Sequence, residues 1–168
     1  MSNKKQSANK GSNRNTIIGV VAAVLLVVSV IIFFVNKKGS DNTAGIGDIV
    51  ITKSEITQTV KFYPIKVGKI NMEVMAVKAS DGTIRTAFNT CQVCNGSPRA
   101  YYKQEGDMVV CQNCGNKFSM DMIEVQRGGC NPIPIMSDDK TDSGDIITIS
   151  GEFIKQNKGL FTENWKSR

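Results

Sequence analysis

Histidine is absent from this chain of 168 residues. Without imidazole, histidine-ligated haem, mixed cysteine-histidine zinc fingers and histidine-bound catalytic zinc are all excluded. Other machinery is missing too. The chain carries no acid-base pair, nucleophile triad or glycine-rich phosphate loop, which points to a carrier or binding protein rather than an independent enzyme. No acidic residue precedes Asp41, no twin arginine marks the N-terminal segment, and tryptophan occurs only as Trp165.

What is present is sulfur. Five cysteines fall between positions 91 and 130, as Cys91-Gln-Val-Cys94, Cys111-Gln-Asn-Cys114 and Cys130. Two C-x-x-C pairs at this separation can converge four soft thiolate ligands, Cys91, Cys94, Cys111 and Cys114, on one metal or cluster. Gly115 directly follows the second pair and permits a positive φ, which turns backbone amides toward the sulfurs and spreads their negative charge. Asn95-Gly96 offers a weaker version of that turn after the first pair. Cys130 sits apart, in Arg127-Gly-Gly-Cys-Asn-Pro-Ile-Pro-Ile135, where glycines allow close backbone approach and two prolines stiffen the chain after the cysteine. It reads either as a buried structural cysteine or as a further metal ligand in a capping loop.

The other long-range signal is apolar. Residues 17–35 carry no charge and, as a helix, would be about 28 Å long, close to a hydrocarbon core of about 30 Å. That run exceeds the usual h-region of a cleaved signal, and no small-x-small site follows Val35, so it reads as an uncleaved signal anchor in the lipid bilayer. Lys4, Lys5, Lys10 and Arg14 precede it, which keeps the N-terminus cytoplasmic and places the remainder outside a single-pass cell-membrane protein. These four side chains also account for most of the net charge of +6, leaving 17 basic against 15 acidic residues beyond the span. Such a balance, without aromatics interleaved in a basic patch, argues against nucleic acid as a partner.

The resulting organisation is a basic tail over residues 1–16, the span over 17–35, a glycine-rich flexible linker over 36–47, a cysteine-rich domain over 48–155 and a polar tail over 156–168 that either frays or docks by Trp165. The expected fold is one transmembrane helix plus a small all-β, or β-dominated, extracytoplasmic domain. Residues 69–79 alternate with period two, Asp81-Gly82 signals a hairpin, and residues 83–88 return toward Cys91. Residues 48–52, 59–65 and 108–110 are further strands, and residues 146–149 and 152–155 read as a late pair joined at Ser150-Gly151.

A disulfide or thiol-exchange reading competes, because an exported domain meets an oxidising compartment. An odd number of cysteines, and the absence of a helical pattern after either C-x-x-C, make this the poorer account of the spacing.

Taken together, residues 80–88, the two C-x-x-C pairs, Tyr101-Tyr102, the Gly106–Gly115 run, Phe118 and Gly128-Gly-Cys-Asn-Pro-Ile-Pro134 resemble the FtrD-like membrane iron-sulfur proteins over roughly residues 48–155. The resemblance implies a membrane-anchored electron-transfer component with an iron-sulfur centre, partnered with a ferrous-iron permease system or another redox protein. A more distant likeness is to the order of elements in a Rieske-type domain, with thiolates where that centre has histidines. A [2Fe-2S] cluster so ligated should fall below the Rieske range of about −150 to +300 mV, toward roughly −400 mV. Zinc remains the alternative, as the staple of an interaction module. A thiolate site of zinc or mononuclear iron also avoids carrying a preassembled cluster across the membrane on an anchor that is threaded unfolded.

Overall fold

The computed structural model describes residues 46–167. The tail, the apolar run over 17–35 and nearly all of the linker lie outside the described residues, and among the described residues no helix is long and apolar enough to cross a membrane.

Among the described residues, ten strands form three antiparallel sheets. The central sheet runs in the order β2 (Lys61–Val67), β3 (Ile70–Lys78), β4 (Ile84–Cys91), β8 (Pro132–Pro134). Its two proline positions in β8 sit on an edge strand, where a missing N–H does not break the ladder. A second sheet orders β1 (Ile49–Thr52), β10 (Ile146–Ile149) and β9 (Thr141–Ser143), and a third orders β5 (Tyr102–Glu105), β6 (Met108–Cys111) and β7 (Lys117–Ser119).

The alternation in β3 explains why there are two cores. Met72, Val74 and Ala76 pack with Ile49, Ile51, Ile147 and Ile149 of the second sheet. Met75 and Val77, on the opposite face, pack with Tyr102, Val109 and Phe118 of the third. One strand thus buries both faces, as the central strand of a layered β domain should. Glu73 lies on the second face and is only 8% exposed. It is tied there by Asn89 Nδ2 at 2.6 Å and by the Lys166 ammonium at 2.7 Å.

The hairpin at Asp81-Gly82 forms as expected, with Gly82 at φ 83°. The late strand pair does not. Residues 146–149 are a strand, but they pair with β1 and β9, and Gly151–Gln156 is a short helix, α1. Ser150 caps it by accepting from the Phe153 N–H, and the Gly151 N–H donates to Asp48 Oδ1. Glycine is required at 151, since a Cβ there would lie 1.7 Å from the Ile46 carbonyl oxygen. A serine cap before two turns' worth of chain outweighs the alternation of four residues. Of the two outcomes open to the C-terminal tail, docking is the one observed: Phe161 and Trp165 enter the first core, edge-to-face at 5.0 Å between ring centroids.

Candidate metal centre

Three loops meet at one end of the central and third sheets. Cys91 ends β4, Cys111 ends β6, and Cys130 lies just before β8. Because β8 pairs with β4, with Cys91 opposite Pro132, the chain carries Cys130 back across almost forty residues to the first C-x-x-C. The register shifts between Phe88 and Cys91. Asn89, buried in that irregular stretch, accepts from the Tyr102 N–H at 2.7 Å and so joins β4 to β5.

Side-chain amides between the cysteines stitch the loops together. Gln92 Oε1 accepts from the Gly128 N–H at 2.7 Å, and the Gln92 N–H donates to the Asn131 carbonyl. Asn113 Oδ1 accepts from the Ser97 hydroxyl at 2.7 Å, joining the two C-x-x-C loops, and Asn116 Nδ2 donates to the Cys130 carbonyl at 2.9 Å. Gly115 adopts φ 74° and its N–H donates to the Cys111 carbonyl, closing the second knuckle. The first loop uses another turn. Gly96 has no positive φ, and the loop closes through the Ser97 N–H on the Cys94 carbonyl at 2.8 Å. The C-terminal tail holds this loop from behind, with Trp165 Nε1 donating to the Ala100 carbonyl and the Lys166 N–H to that of Pro98.

The sulfurs of Cys91, Cys94, Cys114 and Cys130 all lie within 4.8 Å of one another. Cys111 is not among those four. It is buried, hydrogen-bonded to Cys114, and packs with Cys91 in the second core. All five cysteines are free.

Electrostatics differ across the cluster. The Asn116 backbone N–H holds Cys114, the exposed member, down to about 7, with help from the neighbouring thiols. Burial pushes Cys111 up to about 12. Cys130 is raised to about 12, chiefly because its proton is shared with the Cys114 sulfur. For Cys91, burial raises the thiol, but hydrogen bonds from the Tyr102 hydroxyl and the backbone of Cys94 and Val93 outweigh it and the net shift is downward. Cys94 moves the other way: the Asn113 amide favours its thiolate, yet burial and the Cys91 and Cys114 thiols raise it. Four thiols within 4.8 Å of one another cannot all carry full negative charge without a cation between them.

Sequence reasoning singles out the cysteines but not Gln92, Asn89, Asn113 or Asn116, whose role is to fix loops. The local signal is an amide side chain inside each C-x-x-C, which points to Gln92 and Asn113 but not to Asn89 or Asn116.

A small β domain that draws four thiols from three loops onto one point defines a cysteine-thiolate metal-binding module. The model of the family described as FtrD-like, membrane iron-sulfur containing protein, matches residues 49–161, and the chain belongs to that family. Comparison with curated proteins and with solved structures found no match for either.

Proposed function

We propose that the protein is a membrane-anchored electron carrier whose Cys91, Cys94, Cys114 and Cys130 thiolates hold an iron or iron-sulfur centre, with residues 17–35 as the anchor and the cysteine domain outside the cytoplasm. The observation that carries this reading is the convergence of four sulfurs from three loops, in a chain of a membrane iron-sulfur family. The donor set fits such a centre: soft thiolates only, backbone amides aimed at the sulfurs, and no oxygen ligand required. When bound, such a centre supplies reversible one-electron exchange. The protein's own groups supply the rest. Burial of Cys91 excludes water from one side, while the exposure of Cys114 leaves the other side open to a donor or acceptor. An iron-uptake system is the partner that the family resemblance favours.

One observation favours a second reading, a single zinc ion stapling an interaction module. Tetrahedral coordination at about 2.3 Å places sulfurs about 3.8 Å apart. Four sulfurs already within 4.8 Å need little movement to reach that geometry. Full-length protein, purified anaerobically in detergent, separates the two. The carrier reading expects iron, visible sulfur-to-iron absorption and bleaching on reduction; a colourless protein holding stoichiometric zinc would refute it in favour of the zinc module.

A further inference from the structure

The three loops that meet at the sulfurs carry charge of one sign. Across residues 92–101, 112–117 and 125–131 the charged side chains are Arg99, Lys117 and Arg127, one to each loop and all exposed. Each sits beside a hydrogen bond that ties the loops together. The Arg99 N–H donates to the Ser97 hydroxyl at 3.2 Å, and that hydroxyl donates to Asn113 in the second C-x-x-C. Arg127 precedes Gly128, whose N–H donates to Gln92 in the first, and Lys117 follows Asn116, which holds the Cys130 carbonyl. Among the described residues neither guanidinium forms an ion pair, and Lys117 meets Glu105 at 3.4 Å with both side chains more than half exposed. Glu124, next in sequence to the third loop, is no counterweight, because it is buried against Lys140 and Thr86.

The same loops also expose apolar surface. Four large apolar side chains are exposed among the described residues, and two of them, Val93 at 64% and Val125 at 56%, are here. Val93 lies inside the first C-x-x-C, and Cys114, which ends the second, is exposed as well. Apolar contact area with arginine at a polar rim is the make-up of a protein-binding surface. We infer that these loops are the docking surface for an acidic redox protein, one that presents carboxylates around an apolar patch over its own electron-transfer group. Arg99, Lys117 and Arg127 steer and orient that partner, and Val93 and Val125 make the dry contact that brings its centre to the Cys114 side of the site. An anionic membrane surface would suit the same charges, but a face laid on lipid would cover Cys114, the side through which electrons have to pass. The inference rests on the carrier reading above and adds to it the chemistry of the partner.

Flavodoxin, a small acidic electron-transfer protein, serves as the probe, with basic cytochrome c as its counterpart. Full-length protein with its own metal is placed in phosphatidylcholine nanodiscs, and binding of each fluorescently labelled probe is followed by anisotropy. Flavodoxin should bind at about 10 mM salt, where charges are felt over about 30 Å, and weaken at about 0.15 M, where that range falls to about 8 Å; cytochrome c should not bind. Arg127→Glu should weaken flavodoxin binding about five- to tenfold, whereas Lys78→Glu, the same change of charge opposite Ile84 at the hairpin end of β3, should leave it within about twofold. Equal loss in both variants reduces the effect to net charge and overturns the proposal, as does failure of the wild type to bind. Metal content of the same preparation keeps the two readings apart. A colourless zinc protein whose docking still depends on Arg127 fails the carrier reading and keeps the surface; an iron protein whose docking ignores Arg127 does the reverse. Should Arg127→Glu not fold, carbodiimide coupling of wild-type lysines to flavodoxin carboxylates decides: coupling centred on Lys117 supports the surface, and coupling centred elsewhere refutes it. Slower amide exchange at Val93 and Val125 when wild type alone is moved into phosphatidylglycerol nanodiscs places the face on lipid, and also refutes it.

Discussion

At the scale of the residue, the five cysteines divide by what surrounds each sulfur. Cys111 and Cys114 belong together by spacing, yet it is Cys130 that joins Cys91, Cys94 and Cys114 in the group of four sulfurs within 4.8 Å of one another, with Cys111 hydrogen-bonded to Cys114 beside them. Cys114→Ser and Cys130→Ser should therefore each lose nearly all bound metal, whereas Cys111→Ser should keep most of it and lose stability instead; metal-to-protein ratios after desalting, with thermal melts, check this. Charge also distinguishes them. With Cys114 held to about 7 and Cys130 raised to about 12, iodoacetamide should modify Cys114 first in metal-free protein, at a rate rising with pH to a midpoint near 7 as the thiolate forms. Linkage gives the sign: a thiol lowered from 9.0 to about 7 favours the folded state fully above its unfolded value and loses that advantage as pH falls through its folded one. Peptide mapping across pH 5–9 tests both the order and the midpoint.

Elements convert these local properties into a site. The loop that carries Cys130 is pinned upstream by Glu124, which accepts from the Thr86 N–H and hydroxyl and pairs with Lys140 at 2.6 Å. Both charged side chains are largely buried, at 6% exposure for Lys140 and 12% for Glu124, and Glu124 holds a left-handed φ of 67° that only its fixed surroundings can maintain. Removing one partner of a buried pair strands the other charge, at a cost of about 3–5 kcal/mol. Lys140→Met should destabilise the domain by about that amount in chemical denaturation, more than the same change at Lys155, whose contact with Glu152 is solvent-exposed. At this scale the sequence is legible where structure is local. The β3 alternation, the hairpin at Asp81-Gly82 and the Gly115 knuckle each rest on neighbouring residues, and each forms as expected. The segment over 152–155 departs from expectation because four alternating residues satisfy a strand pattern, while the deciding contacts, Ser150 to Phe153 and Gly151 to Asp48, need either a helix to exist or a residue about a hundred positions away.

For the whole molecule, the C-terminal tail closes the structure. Trp165 is 4% exposed, packs against Phe161 and Tyr101, and holds the first thiol loop through the Ala100 carbonyl. Beside it, the Lys166 ammonium lies over the rings of Phe62, Tyr101 and Trp165 while pairing with Glu73. Trp165→Ala should cost about 3–5 kcal/mol and should also speed metal loss to a chelator, because the loop bearing Cys94 loses its rear support. A variant equally stable and equally retentive would show that the tail is not part of the domain's working structure.

Residue order alone points to the chemistry of the site and to a β-dominated domain. The absence of histidine, two C-x-x-C pairs and a glycine knuckle make cysteine sulfur the donor on offer, because ligand type and knuckle geometry are set within a few residues. Alternation and turn residues select β structure for the same reason. Which sulfurs meet is decided only when the chain folds. Cys130 reaches Cys91 through the pairing of β8 with β4, Cys111 is carried inward by its place at the end of β6 against Tyr102, and the tail is recruited by an aromatic core assembled from distant strands. These are contacts between residues tens of positions apart. Their free energy comes from burial and register, which no local window of sequence contains.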